Sequence, residues 1–225
     1  MDEDGWNNNC SASTALDSSA YANHGKSCPA GSGPLGGETS CMSGKCGLFD
    51  GGDDRVDFSP GPPGTYGENP VFTAEFWAKP NGSAYGTNKA MLGSNSSYWN
   101  VMYLTSATNF VYRNYHSIDG GSSYSWTITD RGSNWQHFAI VFDKPNGQVT
   151  LYQDGVDKGS LSVSNRITLG IYRIGGQNGG VEYFSGSLDE VRIYKRNLSA
   201  CEVCEQCRRF QTKANCNNCT NCSGN

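Results

Sequence analysis

Ten cysteines sit in two sets toward the ends of this 225-residue chain, and the stretch between Cys46 and Cys201 has none. The first set is Cys10, Cys28, Cys41 and Cys46. The second is Cys201, Cys204, Cys207, Cys216, Cys219 and Cys222. So many thiols are a liability in a reducing cytosol, so the expected compartment is oxidising, secreted or at the cell surface. Asn-x-Ser/Thr sequons at Asn9, Asn81, Asn95, Asn197, Asn218 and Asn221 fit a secreted glycoprotein. No signal peptide opens the chain, so export implies a targeting segment already removed.

The cysteine-free middle must supply its own core, and the chain is long enough to bury one. With 29 glycines and only 17% charged residues, it suits short strands joined by many turns. NWQHFAIVFD reads as a strand with Phe138, Ile140 and Phe142 on one face, and Lys144–Pro145–Asn146–Gly147 turns it into QVTLYQDGVDKGSL. In VFTAEFWAKP, Phe72, Ala74, Phe76 and Ala78 alternate with Thr73, Glu75 and Trp77. Roughly a dozen such strand candidates recur at regular spacing, the sequence sign of a sandwich or jelly roll. Residues 1–47 read instead as loops around small turns.

The net charge of -4 and the lack of a basic stripe argue against nucleic acid. No apolar run approaches the roughly 18 residues of a membrane helix, so membrane insertion is not expected.

Candidate site residues fall in three places. Asp17, Asn23 and His24 lie in a polar loop. Asp and Asn at turns commonly bond their own backbone, but a hard cation uses the same carboxylates and carbonyls. Asp50, Asp53, Asp54 and Asp57 surround a Gly-Gly turn, as solvated turn acids or as a second cation site. Most of the aromatics between Lys89 and Thr129 should pack. Tyr115, His116, Asp119, Tyr124 and Trp126 are the candidates for stacking on and bonding to a sugar.

In FSGSLDEVRIYKRNLSA, simple alternation puts Leu188, Glu190, Arg192 and Tyr194 on one side, with Asp189, Val191 and Ile193 on the other. Asp189 is out of place there, because a carboxylate in an apolar strand needs a cation or several donors. Past Ala200, the six tail cysteines follow C-x2-C-x2-C, eight residues, then C-x2-C-x2-C. Zinc, an iron–sulfur cluster and intermolecular cross-links are all open. The spacing is also mirror-symmetric, and a hairpin would nest Cys201–Cys222, Cys204–Cys219 and Cys207–Cys216. In the first set Cys41 and Cys46 can close a small loop, leaving Cys10 with Cys28.

FTAEFWAKP, NWQHFAIVFD, VTLYQDGVDKGS and FSGSLDEVRIYKRNLSA occur in the order and approximate spacing of laminin G-like domains of the concanavalin A-like lectin/glucanase superfamily. TALDSSAYANHG and GKCGLFDGGDDRVDF resemble the amino-terminal part of the same domains. The resemblance implies an all-β, two-sheet antiparallel jelly-roll sandwich over residues 1–200, followed by a cysteine-rich tail at residues 201–225. It also implies one structural calcium ion between the amino-terminal loop and the last strand. By position the ligands would be Asp17, the backbone at Asn23, Asp189 and, from the acidic opening, Glu3.

Glucanase members of the superfamily carry Glu-x-Asp-x-x-Glu on one strand, supplying paired carboxylates. Glu75, Glu182 and Glu190 stand alone here, and the chain is not expected to be an enzyme. Two functions follow as expectations. One is an extracellular, calcium-stabilised recognition module for a glycan or protein partner. The other is a structural subunit that assembles with copies of itself in a surface appendage, sheath or filament, with the tail as a joint.

Overall fold

The computed structural model describes residues 6, 10–11, 13–38, 40–58, 71–82, 84–86, 89–94, 100–116, 119–164, 170–177, 182–210 and 216. Its strands are β1 (Gly25–Cys28), β2 (Leu35–Glu38), β3 (Cys46–Asp50), β4 (Arg55–Phe58), β5 (Val71–Pro80), β6 (Ala90–Gly93) and β7 (Asn100–Ser106). They continue with β8 (Asn109–His116), β9 (Gly120–Thr127), β10 (Gln136–Asp143), β11 (Gln148–Gln153), β12 (Val156–Ser162), β13 (Arg173–Ile174) and β14 (Ser185–Tyr194), and end in helix α1 (Ala200–Arg208).

Two seven-stranded antiparallel sheets face each other as a jelly roll. One has the order β1-β4-β13-β6-β7-β8-β9, the other β12-β11-β10-β5-β14-β3-β2. The core between them follows from the alternation. Phe72, Phe76, Phe138, Ile140 and Phe142 from one sheet meet Met91, Leu92, Met102, Phe110 and Tyr112 from the other. Phe72 and Phe142 stack with ring centroids 5.1 Å apart, and Phe110 reaches across to Phe138 at 5.0 Å. Burying each such ring contributes roughly 1.5–3 kcal/mol relative to leaving it in water.

The amino-terminal region differs from the sequence expectation of loops. β1 and β2 are short strands that pair with β4 and β3. Each is four residues at a sheet edge, GKSC and LGGE, too short and too glycine-rich to show an apolar period.

Strand β14 departs from simple alternation. Asp189 pairs with Trp77, but Arg192 pairs with Glu75, so three steps on β14 match two on β5. This β-bulge centres on Glu190, a non-glycine residue at φ 50. It carries Asp189 onto the outward face with Arg192 and Tyr194, while Leu188, Val191 and Ile193 face the core.

The outer face of that sheet is covered by the chain's own carboxyl-terminal segment. Helix α1 starts at a capping box in which Ser199 and Glu202 satisfy each other's backbone N–H groups. Val203 and Leu198 pack on Ala139, Val141 and Tyr152. Cys207 and Cys216 pack on Trp77 and Met42. Phe210 meets Trp77 edge-on at 6.0 Å. β5 and β10 are therefore buried on both faces for most of their length, with core on one side and tail on the other.

Three disulfides are described: Cys10–Cys28, Cys41–Cys46 and Cys207–Cys216. Cys204 is also disulfide-bonded. Cys219 and Cys222, the expected partners of Cys204 and Cys201, lie outside the described residues. Among the described residues no helix is long and apolar enough to cross a membrane.

Candidate functional site

The β8–β9 hairpin carries the groove at which the structure and the sequence candidates meet. Its register sets Arg113 opposite Ser123, Asn114 opposite Ser122, Tyr115 opposite Gly121 and His116 opposite Gly120. Gly120 has φ +78, which a side chain rarely adopts, so the hairpin turn needs glycine there. Gly121 leaves the space beside the Tyr115 ring open, since even a Cβ would lie 3.6 Å from its Cδ2. The result is a cavity of about 310 Å³ lined by Arg113, Asn114, Tyr115, Gly121, Ser122 and Ser123.

The groove combines an aromatic surface with polar groups. Tyr115 is 41% exposed, against near-complete burial for most aromatics of this sheet. The Arg113 guanidinium lies 5.8 Å from the Tyr103 ring centroid. Asn114, opposite Ser122, shares the inward side of the hairpin with Tyr112 and Tyr124 and is 2% exposed, which leaves Arg113, Tyr115 and Ser123 on the outward side. None of the lining residues is a carboxylate.

The other sugar-stacking candidates are placed differently. Tyr124 and Trp126 alternate with the groove-facing positions and turn into the core, at 7% and 3% exposure. Tyr124 stacks on Tyr112 at 5.9 Å. Trp126 meets Phe110 edge-on, and its Nε1 donates to the Gly159 carbonyl at 2.9 Å. Neither offers a ring face to a ligand, which corrects that part of the expectation. Asp119 lies exposed just before β9, and the His116 side chain is outside the described residues.

The two described carboxylates expected to hold calcium make separate sets of backbone hydrogen bonds. Asp17 caps its own loop: its carboxylate accepts from the Ser19 and Asn23 N–H groups and the Ser19 hydroxyl, each at 2.8 Å. Burial alone would raise the Asp17 pKa, but these bonds hold it below the usual carboxylate value. Asp189, 1% exposed, accepts from Met42 N–H at 2.9 Å, Ser43 N–H at 3.1 Å and Glu190 N–H at 2.8 Å. Backbone N–H groups thus surround both carboxylates. Glu3 lies outside the described residues.

The turn acids divide into two groups. Asp57 pairs with Arg173 at 2.6 Å and with Arg55 at 3.1 Å. Asp50, Asp53 and Asp54 gather with one carboxylate oxygen of each within 4.8 Å of the others. Burial, with Asp50 and Asp53 close by, pushes the Asp54 carboxyl up to about 6.

A buried charged cluster that sequence reasoning missed lies under the tail. Glu75 Oε2 is 3.7 Å from His137 Nε2, Tyr194 Oη donates to Glu75 Oε1 at 2.8 Å, and Arg192 Nη1 lies 3.5 Å from the same oxygen. Its only sequence signal was the outward alternation of Glu75 in β5, which names no partner.

Of the sequons, Asn81 is exposed, with its Nδ2 donating to Ser185 Oγ, and Asn197 is half-buried with its Oδ1 enclosed. Asn9, Asn95, Asn218 and Asn221 lie outside the described residues.

A two-sheet antiparallel jelly roll of this order defines a class of concanavalin A-like sandwich domains. The chain belongs to the laminin G-like family of the concanavalin A-like lectin/glucanases superfamily, whose model matches residues 50–204. Among solved structures, it resembles domain 4 of AbnA, an extracellular GH43 arabinanase from Geobacillus stearothermophilus, in complex with arabinotriose. That likeness has 20% identity and a TM-score of 0.59, over 77% of this chain and 80% of that one. It also resembles the binding domain of Paraclostridial Mosquitocidal Protein 1, with 17% identity and a TM-score of 0.67, over 87% of this chain and 49% of that one. A third likeness is to the Ruminococcus gnavus IT-sialidase CBM40 bound to alpha2,3 sialyllactose, with 17% identity and a TM-score of 0.51, over 65% of this chain and 84% of that one. The chain thus spans about half the length of the toxin binding domain it matches. No curated protein matches the sequence.

Proposed function

We propose that this protein is an extracellular, non-catalytic recognition module that binds glycan in the β8–β9 groove. The observation that carries this reading is the exposed Tyr115 ring beside a pocket of donors. A pyranose presents an apolar C–H face that stacks on such a ring, while its hydroxyls accept from Arg113 and exchange hydrogen bonds with Ser123. Hydrolysis of a glycosidic bond would need two carboxylates flanking the sugar, and the groove lining has none. The disulfides suit an oxidising, secreted setting. Two solved relatives are complexed with saccharides, arabinotriose and sialyllactose, which supports a glycan as the ligand class.

Glycan-array binding by the full chain and by Tyr115→Ala tests the reading. Tyr115→Ala should abolish retention while changing stability by less than about 0.5 kcal/mol. Trp126→Ala, which empties core volume, should cost about 3–5 kcal/mol. An array on which the folded wild-type chain retains no glycan, or on which Tyr115→Ala retains as much as wild type, would overturn it.

A further inference from the structure

The turn between β3 and β4 joins the two sheets. β3 lies in one sheet beside β14, and β4 lies in the other between β1 and β13. The turn, Gly51–Gly52–Asp53–Asp54, is drawn tight at its start. Asp50 Oδ1 accepts from Gly52 N–H at 2.7 Å, and the Asp50 carbonyl accepts from Ser185 Oγ at 3.2 Å. This brings Asp50, Asp53 and Asp54 together, with one carboxylate oxygen of each within 4.8 Å of the others.

Three carboxylates at this separation repel one another, and the cations nearby are committed elsewhere. Arg55 gives its Nε to Asp57 at 3.1 Å and its Nη1 to the Asp53 carbonyl at 3.3 Å. Arg173 gives its Nε to Asp57 at 2.6 Å. Among the described residues no salt bridge reaches the three carboxylates.

Asp54 makes the arrangement more than a set of surface acids. It is 4% exposed, and its Oδ2 accepts from Asp50 N–H at 2.7 Å. Its Oδ1 is buried with no hydrogen-bond partner at all. A carboxylate oxygen removed from water and given neither donor nor cation is strongly unfavourable. The carboxylate that carries this oxygen is clustered with two more carboxylates.

We propose that Asp50, Asp53 and Asp54 form a calcium site that clamps the two sheets together at the β3–β4 turn. The donor set is all oxygen, which selects a hard cation over zinc or copper. Calcium accepts six to eight oxygens at about 2.3–2.6 Å in loose geometry, and the exposure of Asp50 and Asp53 leaves room for water to complete the shell. This site is separate from Asp17 and Asp189, whose carboxylates are filled by backbone N–H groups.

The test uses the full chain with its disulfides intact, stripped with EDTA and then titrated with calcium chloride by calorimetry and by thermal unfolding. One equivalent should bind, with a rise in Tm that EDTA reverses. Asp53→Asn, an exposed change that leaves the fold intact, should weaken binding on the order of tenfold or more. Asp54→Asn should remove the calcium-dependent rise in Tm while the EDTA-treated variant unfolds no earlier than EDTA-treated wild type. Absence of heat and of a Tm rise at millimolar calcium would overturn the site. So would wild-type affinity in both variants, or an affinity lost only in Asp17→Asn or Asp189→Asn.

Discussion

Met42 and Asp189, 147 residues apart in the chain, are joined by a hydrogen bond from the Met42 N–H to Asp189 Oδ2 at 2.9 Å, and Ser43 N–H adds a second at 3.1 Å. The Cys41–Cys46 disulfide closes the loop that presents these amides. A buried carboxylate on the last strand thereby holds an amino-terminal loop by charge-assisted bonds.

Asp189→Asn keeps the size of the side chain, but loses the charge and turns one acceptor into a donor that faces N–H groups. It should destabilise the protein by about 2–3 kcal/mol in urea unfolding at neutral pH. The loss should be the same with calcium and with EDTA.

Glu75 sets a pH dependence. Burial alone would raise its carboxyl pKa, but the nearby His137 imidazole, the Tyr194 hydroxyl and the Arg192 charge outweigh burial and hold it below the ordinary value. A folded pKa below the unfolded one stabilises above the unfolded value of roughly 4.3 and is lost as pH falls through the folded one. Glu75→Gln should therefore cost on the order of 3 kcal/mol at pH 7, the cost of breaking a buried pair. The gap from wild type should narrow in acid, and parallel unfolding curves at neutral and acid pH will show whether it does.

The tail latch is open to a direct measurement. Replacing both Cys207 and Cys216 with serine removes a crosslink between residues nine apart and should cost about 2.5 kcal/mol by the loop-entropy relation. Loosening α1 should also bring water to Trp77, which is 1% exposed under Cys207 and Cys216. Tryptophan fluorescence should shift to the red below the global unfolding midpoint. A single transition shared by all probes would show that the tail unfolds only with the sandwich.

Local alternation made much of the sandwich legible. Phe72, Phe76, Phe138, Ile140 and Phe142 announce one inner sheet face by their period, and Ser199 with Glu202 spells a helix start. Other features arise from contacts between residues distant in sequence, which no local period encodes. Tyr115 and Tyr124 carry the same side chain, yet Tyr124 pairs with Tyr112 on the core face while Tyr115, three steps beyond Tyr112 on β8, points to the other face. Trp77 faces outward by alternation, and its burial comes from Cys207 and Cys216, more than a hundred residues away in the chain. Asp189 looked misplaced among core residues only because alternation counted Glu190 as an ordinary strand position.

Glu190 is a spare residue in the reading frame of β14. Removing a residue anywhere else in a strand reverses every side chain beyond the cut, exchanging core for surface. Removing Glu190 keeps the parity: Leu188, Val191 and Ile193 still point inward, and Asp189, Arg192 and Tyr194 still point outward. The strand therefore has one point at which the chain can shorten by a residue without swapping its faces.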